Sequence, residues 1–453
     1  MRSVVRGAAA AAVLALAVGA WTYDARAAAP AAGSGQVDIG GTPVPGASTD
    51  PGDPTSLDAG LWRLDLGAEG QPLRLTYDRR IQGSTVHIGA IGAPAGSAGD
   101  GLQLAATDAA NPDDPEGDDC GSDSATTDSS ASTAVVGVQV VVGEEVDQPD
   151  STCTSAGTIA ITLGRYSSSN DEDLPVALKI VEEAPTSDQG EPPPDDDALD
   201  FEVPRPADSS VTTAGAASFA DAPLVDPRDG AVTIDTTVTE GTELLWRVPV
   251  SWSDQLVARV DLPALDSDEA TELGSPSSYT RLAIVQPTRD LYAQTGDDGS
   301  YGYYGSTERS RLVVAGYPLR YLNRYSSDEA PVLPGDEWVS IAVAAAPADR
   351  SAVDVPVELT IAVTPTDAEP PTYQAAVLAQ GGGAGPAGYS ADKPYLVGDG
   401  EFSAVASGNP LPPVADDEPG WWTGRHLSGL GLGVISLGCC AAGAGWLTRR
   451  RRA

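Results

Sequence analysis

DVPVELTIAV, residues 354–363, alternates apolar and polar side chains, as a strand does when one of its faces is buried. A second stretch, DLPVALKIV at 173–181, shares its Pro-Val-x-Leu-x-Ile pattern. In both stretches the proline stands near the start of the run, where its missing N–H costs no hydrogen bond of the sheet. We therefore predict that each stretch is the closing strand of a β-domain.

Other runs with a period near two precede these closing strands, and no long stretch with helical periodicity occurs between residues 28 and 420. The chain outside its termini is therefore predicted to be all-β. The runs are LWRLDL (61–66), PLRLTY (72–77), STVHIGAIG (84–92), TAVVGVQVVVG (133–143), GTIAITLG (157–164), AVTIDTTV (231–238), ELLWRVPV (243–250), QLVARVDL (255–262), RLAIVQP (281–287), RLVVAGYP (311–318) and EWVSIAVAA (337–345).

The two groups of runs resemble each other in more than their last strand. Glu69-Gly70 and Glu240-Gly241 each stand between two strand-like runs. Chance similarity between β-rich stretches is the alternative to an internal duplication. Duplication predicts two tandem β-sandwiches, over residues 57–181 and 216–365.

Three segments outside these blocks read as connectors. Residues 28–56 are rich in Ala, Gly, Pro and Ser, which predicts a flexible lead-in. Residues 182–215 contain EPPPDDD, and proline and like charges both extend a chain, so they are predicted to form an acidic linker. Residues 366–420 are predicted to form a Pro/Gly-rich stalk.

The second block has the order Gly, strand, Glu-Gly, strand, followed later by Pro-Gly-x-x-Trp-Val-Ser-Ile. The residues are Gly230, Glu240-Gly241, Trp246 and Pro334-Gly335 with WVSI at 338–341. This order resembles the bacterial pre-peptidase C-terminal type of β-sandwich. The first block matches it only at Gly60, Glu69-Gly70 and Ala156-Gly157. In layout the chain is also similar to uncharacterised actinobacterial envelope proteins. The resemblance implies accessory domains without catalytic residues of their own.

Both ends of the chain carry membrane-targeting patterns. Residues 1–27 have a charged start, an apolar core and an A-x-A site, as a signal peptide does. Residues 427–447 contain no charge and would extend over roughly 31 Å as a helix, which predicts a single transmembrane helix. The arginines of the 448–453 tail place the C-terminus inside by the positive-inside rule. We expect a single-pass cell-membrane protein whose sandwiches are extracellular.

The formal net charge is −39. Such a chain repels nucleic acid and anionic lipid, which excludes nucleic-acid binding and favours a cationic or cation-bridged partner. Cys120 and Cys153 are the only cysteines outside the signal and the predicted span. Outside the cytoplasm such a pair is predicted to form a disulfide, with a metal site as the weaker alternative.

The loop NPDDPEGDDCGSD (111–123) offers closely spaced carboxylates for a hard cation. Its candidate ligands are Asp113, Asp114, Asp118 and Asp119, and the cation that they suit is Ca²⁺. The loop lacks the ordered spacing of an EF-hand, and a solvated acidic loop is the alternative. We expect no cofactor other than this calcium candidate.

Nothing in the sequence marks a catalytic site. His87 is the only histidine between the signal and the membrane border, and no G-x-S-x-G or P-loop pattern is present. An ordinary strand histidine is therefore expected at this position. Carboxylates are abundant, but none is marked as a paired acid and base. The chain is predicted not to be an enzyme, with a carboxylate-based extracellular hydrolase as the second alternative.

The segment GDDGSYGYYGST (296–307) is the candidate binding element, and its candidate residues are Tyr301, Tyr303 and Tyr304. Tyrosine presents a flat apolar ring and a hydroxyl group at a small cost in entropy, which suits recognition of a sugar or a protein. Ordinary hairpin tyrosines are the alternative. The sequence thus predicts a membrane-anchored interaction or structural protein of the cell envelope. The first alternative is an adaptor that binds a glycan or peptidoglycan, and the partner is an envelope protein or a cell-wall glycan.

Overall fold

The computed structural model describes residues 36–94, 100–109, 119–127, 134–143, 152–167, 172–190, 200–273, 278–292, 299–325, 330–376, 378 and 385–406. Within these ranges the chain is all-β, as predicted. No helix in them is long and apolar enough to cross a bilayer. The predicted signal peptide, transmembrane helix and arginine tail lie outside the described residues, so these three remain predictions.

The first part of the described chain forms one short helix and a series of strands. They are β1 (Thr42–Pro43), β2 (Thr55–Leu57), β3 (Gly60–Leu66), β4 (Leu73–Asp78), β5 (Thr85–Gly92), β6 (Gly101–Asp108), β7 (Asp119–Thr126), β8 (Val136–Val142), α1 (Thr152–Ser155), β9 (Thr158–Arg165) and β10 (Leu174–Glu183).

The second part continues in the same way, with short strands at both ends. Its elements are β11 (Thr186–Asp188), β12 (Ser210–Val211), β13 (Val232–Thr239), β14 (Glu243–Val250), β15 (Asp254–Leu262), α2 (Ser267–Leu273), β16 (Ser278–Val285), β17 (Leu291–Tyr292), β18 (Tyr301–Tyr304), β19 (Ser310–Ala315), a 3-10 helix (Tyr321–Tyr325), β20 (Gly335–Val343), β21 (Asp354–Pro365), β22 (Thr372–Tyr373), β23 (Tyr395–Gly398) and β24 (Glu401–Ser403).

Two pairs of sheets form two sandwiches. The first sandwich has sheet I, in the order β1-β3-β10-β5-β8, over sheet II, in the order β2-β4-β9-β6-β7. The second has sheet III, in the order β14-β20-β16 with β17 and β18 beside β16, over sheet IV, in the order β12-β13-β21-β15-β19. Each sandwich encloses its own apolar core, to which both of its sheets contribute.

The strand orders of the two sandwiches correspond. In sheets I and IV a short strand lies parallel to the next one, β1 beside β3 and β12 beside β13, and the rest of the order is antiparallel. The central strands are β10 and β21, which carry the two Pro-Val-x-Leu-x-Ile stretches. This correspondence is what an internal duplication predicts.

The described parts of the predicted connectors pack against the sandwiches, unlike the flexible lead-in, extended linker and stalk expected from their composition. In the lead-in, Val37 and Ile39 are buried, and strands β1 and β2 lie on the edges of the first sandwich. In the linker, Phe201 and Val203 pack on the outer side of sheet IV. From the stalk, strand β23 pairs with the end of β10, and β24 pairs with β23. We call residues 372–406 the C-terminal strap.

The two sandwiches meet through the outer faces of sheets I and III, whose apolar residues share one cluster. Residues 286–291 comprise the turn between β16 and β17 and the first residue of β17. This segment, here called the docking hairpin, lies against the first sandwich over two glycines. A Cβ atom at Gly89 would lie 1.8 Å from the carbonyl oxygen of Thr288, and one at Gly137 would lie 2.4 Å from Leu291 Cδ1. Only glycine fits at these two positions while the hairpin stays where it is.

Two buried basic side chains lie at this junction. Lys179 is fully buried, and its Nζ donates to the carbonyl oxygens of Pro287 in the docking hairpin and Ala406 in the strap. Burial lowers the pKa of Lys179 well below its usual value. The guanidinium carbon of Arg289 lies 4.2 Å from the ring centroid of Phe219 and 4.4 Å from that of Trp338. Burial lowers the pKa of Arg289 to about 9. Stacking between two aromatic rings compensates part of the cost of burying this charge.

Candidate binding surface

Strand β18 carries the three tyrosines that the sequence singles out. The segment 296–307 that contains it is Gly-rich and polar in sequence, yet β18 forms a ladder with β16, in which Tyr303 lies opposite Tyr279 and Tyr301 opposite Arg281. Because side chains alternate along a strand, Tyr301 and Tyr303 lie on one face and Tyr304 on the other. Tyr301 is 58% exposed and Tyr303 is 49% exposed, whereas Tyr304 is 9% exposed and belongs to the second core.

The third ring of the exposed group comes from β16. Tyr279 is stacked against Tyr301, with ring centroids 5.8 Å apart and an interplanar angle of 19°. It meets Tyr303 edge to face at 5.6 Å and 74°. We call Tyr279, Tyr301 and Tyr303 the tyrosine patch. The sequence placed Tyr304 in this group, whereas in the structure Tyr279 takes that role. The strand period would have found it once the pairing of β18 with β16 was known.

Two charged residues at the base of the patch hold it against the first sandwich. Arg281 Nη2 donates to the carbonyl oxygen of Val135 at 2.9 Å, and the Val135 amide donates to Glu243 Oε2 at 2.8 Å. Arg281 Nη2 and Glu243 Oε1 lie 3.8 Å apart. Burial raises the pKa of Glu243 and lowers that of Arg281, and their mutual attraction opposes both shifts.

The patch offers two accessible rings supported by a third ring. The faces of aromatic rings pack against C–H groups and cations, and tyrosine hydroxyl groups exchange hydrogen bonds with a polar ligand. Tyrosine loses little side-chain entropy on binding. Since Tyr279 supports both exposed rings, part of the ordering that binding requires is already present in the free protein.

The acidic loop falls largely outside the described residues, including Asp113, Asp114 and Asp118. Asp119 is described: it opens β7, and its Oδ1 accepts a hydrogen bond from the Gly121 amide at 3.0 Å. Within the described part of the chain, no three His, Cys, Asp or Glu side chains are grouped so that they could hold a metal ion. The predicted disulfide between Cys120 and Cys153 is confirmed, with Cα atoms 5.5 Å apart, and it joins β7 to α1.

A buried polar network at the junction was not anticipated from the sequence. Glu183 ends β10, and its carboxylate lies 2.9 Å from His87 Nε2, accepts a hydrogen bond from Tyr373 Oη at 2.7 Å and pairs with Arg324. Burial would raise the pKa of Glu183, but Arg324 and His87 together lower it to about 2. Burial lowers the pKa of His87. The sequence signal for this network was the pair Glu182-Glu183, which ends the apolar run of β10.

No family model and no curated protein matches this chain. Among solved structures, the chain is similar to the cowpea mosaic virus top component, at 12% identity over 76% of this chain and 96% of that one, with a TM-score of 0.18. Infectious bursal disease virus Gx strain matches at 10% identity over 68% and 71%, with a TM-score of 0.20. The CUB1-EGF-CUB2 domain of human MASP-1/3 matches at 7% identity over 67% of this chain and 99% of that one, with a TM-score of 0.15. TM-scores this low carry no inference about this chain.

Proposed function

We propose that this chain is a membrane-anchored, non-catalytic binding protein of the cell envelope, and that the tyrosine patch contacts an uncharged glycan of the cell wall. The observation that carries the proposal is the packing of two half-exposed tyrosine rings on a third ring. The C–H faces of sugar rings pack on aromatic faces, and sugar hydroxyl groups match the phenol hydroxyls.

The charge of the chain supports this choice of ligand. At a net charge of −39, phosphate-rich or carboxylate-rich polymers are repelled. An uncharged glycan meets no such repulsion. The predicted signal peptide and transmembrane helix would place the sandwiches on the side of the membrane where the cell wall lies.

The surroundings of His87 support a role without catalysis. Its side chain is fully buried, and its Nε2 is 2.9 Å from Glu183. A general base must come within hydrogen-bond reach of the proton that it removes, and a substrate has no access to this ring. The resemblance to accessory β-sandwiches agrees with the proposal and itself remains a prediction.

The test is co-sedimentation of the full chain, purified in detergent, with isolated cell-wall sacculi at low and high ionic strength. We expect retention that survives high salt and that falls about tenfold or more in the variant Tyr301→Ala/Tyr303→Ala, because central aromatic contacts dominate most interfaces. The matched control is Tyr166→Ala. Tyr166 is 43% exposed on the first sandwich, so this variant should bind like the wild type.

Two results would contradict the proposal. Undiminished retention of the double variant would remove the tyrosine patch as the contact surface. Absence of retention for the wild-type chain would remove the glycan and leave an envelope protein as the partner, which crosslinking in the membrane would identify.

A further inference from the structure

The tyrosine patch touches both sandwiches. Its buried member, Tyr279, shares an apolar cluster with Ala342 of sheet III and with Ala134, which comes from the first sandwich and is fully buried. Tyr279 itself is only 8% exposed. The ring that supports Tyr301 and Tyr303 is therefore covered in part by a residue more than a hundred positions earlier in the chain.

Beside Ala134, the backbone of Val135 is held on both of its polar groups. Its carbonyl oxygen accepts from Arg281, and its amide donates to Glu243. Glu243 also accepts a hydrogen bond from Ser340, so sheet III fixes the position of its carboxylate. The two bonds to Val135 cross from one sandwich to the other.

We infer that the tyrosine patch is a composite surface, in which Ala134 and Val135 of the first sandwich hold Tyr279 in place, so that glycan binding depends on the docking of the two sandwiches. This inference rests on the proposed function of the patch. Arg281 and Glu243 are positioning residues that act through Val135. The docking hairpin holds the same two sandwiches together at a point farther from the patch.

The physical reason is preorganisation. Tyr279 packs in one cluster with Ala134 and Ala342 and contacts the rings of Tyr301 and Tyr303. Without Ala134, Tyr279 gains rotational freedom, and the two rings that it supports gain it too. Binding must then restrict these side chains, and that entropy is lost from the affinity.

Two variants disturb the docking without changing a ring of the patch. Arg281→Met/Glu243→Met removes both bonds to Val135 and replaces a buried ion pair by apolar side chains of similar size, a change that folded proteins often tolerate. Gly89→Ala places a Cβ atom against Thr288 in the docking hairpin. The control is Gly67→Ala, because a Cβ atom there meets nothing within 4 Å.

The first readout needs no ligand. The full chain in detergent is treated with N-acetylimidazole, and acetylation of each tyrosine is followed by mass spectrometry. We expect Tyr279 to be protected in the wild type and in Gly67→Ala, and to be acetylated roughly tenfold faster in the two docking variants, as a shift of this equilibrium by about 1.4 kcal/mol would produce. Tyr77 and Tyr292 are buried in the two cores, and their continued protection shows that both sandwiches remain folded.

The second readout is retention on sacculi, which should fall by about tenfold in both docking variants. If Tyr279 stays protected, or if retention is unchanged, in both variants, the composite surface is refuted. If Arg281→Met/Glu243→Met exposes Tyr292, Gly89→Ala alone decides. A failure of the proposed function gives a different result. Retention of Tyr301→Ala/Tyr303→Ala on sacculi would then equal that of the wild type, whereas the acetylation rate of Tyr279 would still measure the docking of the two sandwiches.

Discussion

The Nε2 atom of His87 lies 2.9 Å from Oε2 of Glu183, with both side chains fully buried between the two sandwiches. Arg324, in the 3-10 helix, pairs with the same carboxylate, and Tyr373 of the strap donates to it. Three separate parts of the chain thus meet at one buried charge. An unpaired charge in such a place is costly, so the removal of any single member of the network is expected to destabilise the fold.

Glu183→Gln should lower the free energy of unfolding by about 3–5 kcal/mol near neutral pH, because it leaves Arg324 buried without a counter-charge. In the wild type the pKa of Glu183 is about 2 in the folded chain, against 4.5 for an ordinary glutamate. The unfolded chain therefore takes up the proton first. The stabilisation is complete above pH 4.5 and is lost as the pH falls through 2.

Urea unfolding at several pH values between 4.5 and 2 checks this prediction. The variant should lose less stability over that range than the wild type does. Asp58→Asn is the control, because Asp58 pairs with Arg80 on the surface, where ion pairs contribute little. Parallel pH curves for wild type and Glu183→Gln would refute the assignment.

Glu337 predicts the opposite pH dependence. Burial raises its pKa to about 8, and Tyr292 donates a hydrogen bond to its carboxyl group. The folded chain keeps the Glu337 carboxyl group protonated at a pH where the unfolded chain has released the proton. The contribution of this group to the free energy of unfolding is therefore complete below pH 4.5 and is lost as the pH rises through 8. Glu337→Gln keeps an acceptor for Tyr292. It should match the wild type near pH 4.5 and exceed its free energy of unfolding above pH 8.

Glu358→Gln serves as the comparison for Glu337, since Glu358 is a partly exposed strand glutamate in sheet IV. Urea unfolding of both variants below pH 4.5 and above pH 8 gives the answer. A wild-type chain that is as stable in alkali as Glu337→Gln would show that Glu337 is not held in its neutral form.

Lys179→Met should weaken the attachment of the strap. It removes the Nζ donor to the carbonyl oxygens of Pro287 and Ala406, and each buried carbonyl left without a partner costs about 1–3 kcal/mol. We expect faster amide hydrogen exchange in the strap and in the docking hairpin. Lys393, the other lysine of the chain, is exposed, so Lys393→Met should leave exchange unchanged. Equal exchange in both variants would contradict the role given to Lys179.

Cys120→Ser/Cys153→Ser should lower the free energy of unfolding by about 3–4 kcal/mol. The disulfide closes the loop between residues 120 and 153, and a closed loop of this length restricts the unfolded chain by about that amount. A reducing agent should bring the wild type down to the level of the variant and leave the variant as it was. If the reductant destabilises both to the same extent, the loss comes from something other than this bond.

The sequence was a good guide wherever a strand has one buried face. The alternation in 354–363 and 173–181 predicted β21 and β10, the central strands of their sheets. It did not reveal β7, whose sequence DCGSDSAT has few apolar side chains, or β18, which reads as a Gly-rich loop. Each pairs with one neighbour, β16 or β6, and a partner of this kind leaves no mark on the local sequence.

The connectors were the main difference between expectation and structure. Composition measures how much apolar surface a segment offers, and Val37 and Ile39 are too few to change that average. They are buried because they pack among the apolar residues on the outer faces of sheets I and III. Glu183, Arg324 and Tyr373 were likewise out of reach of any local pattern, since they are separated by up to 190 positions.

The bond from Lys179 to Ala406 has a mechanical consequence. It holds Ala406 at the waist of the folded body, between the two sandwiches, and not at the far tip of the second one. Residues 407–426 separate this point from the bilayer segment predicted at 427–447, and even a fully extended chain of that length spans at most about 70 Å. A pull transmitted along the chain from such an anchor would therefore act on the bond between Lys179 and Ala406 before it acted on either apolar core.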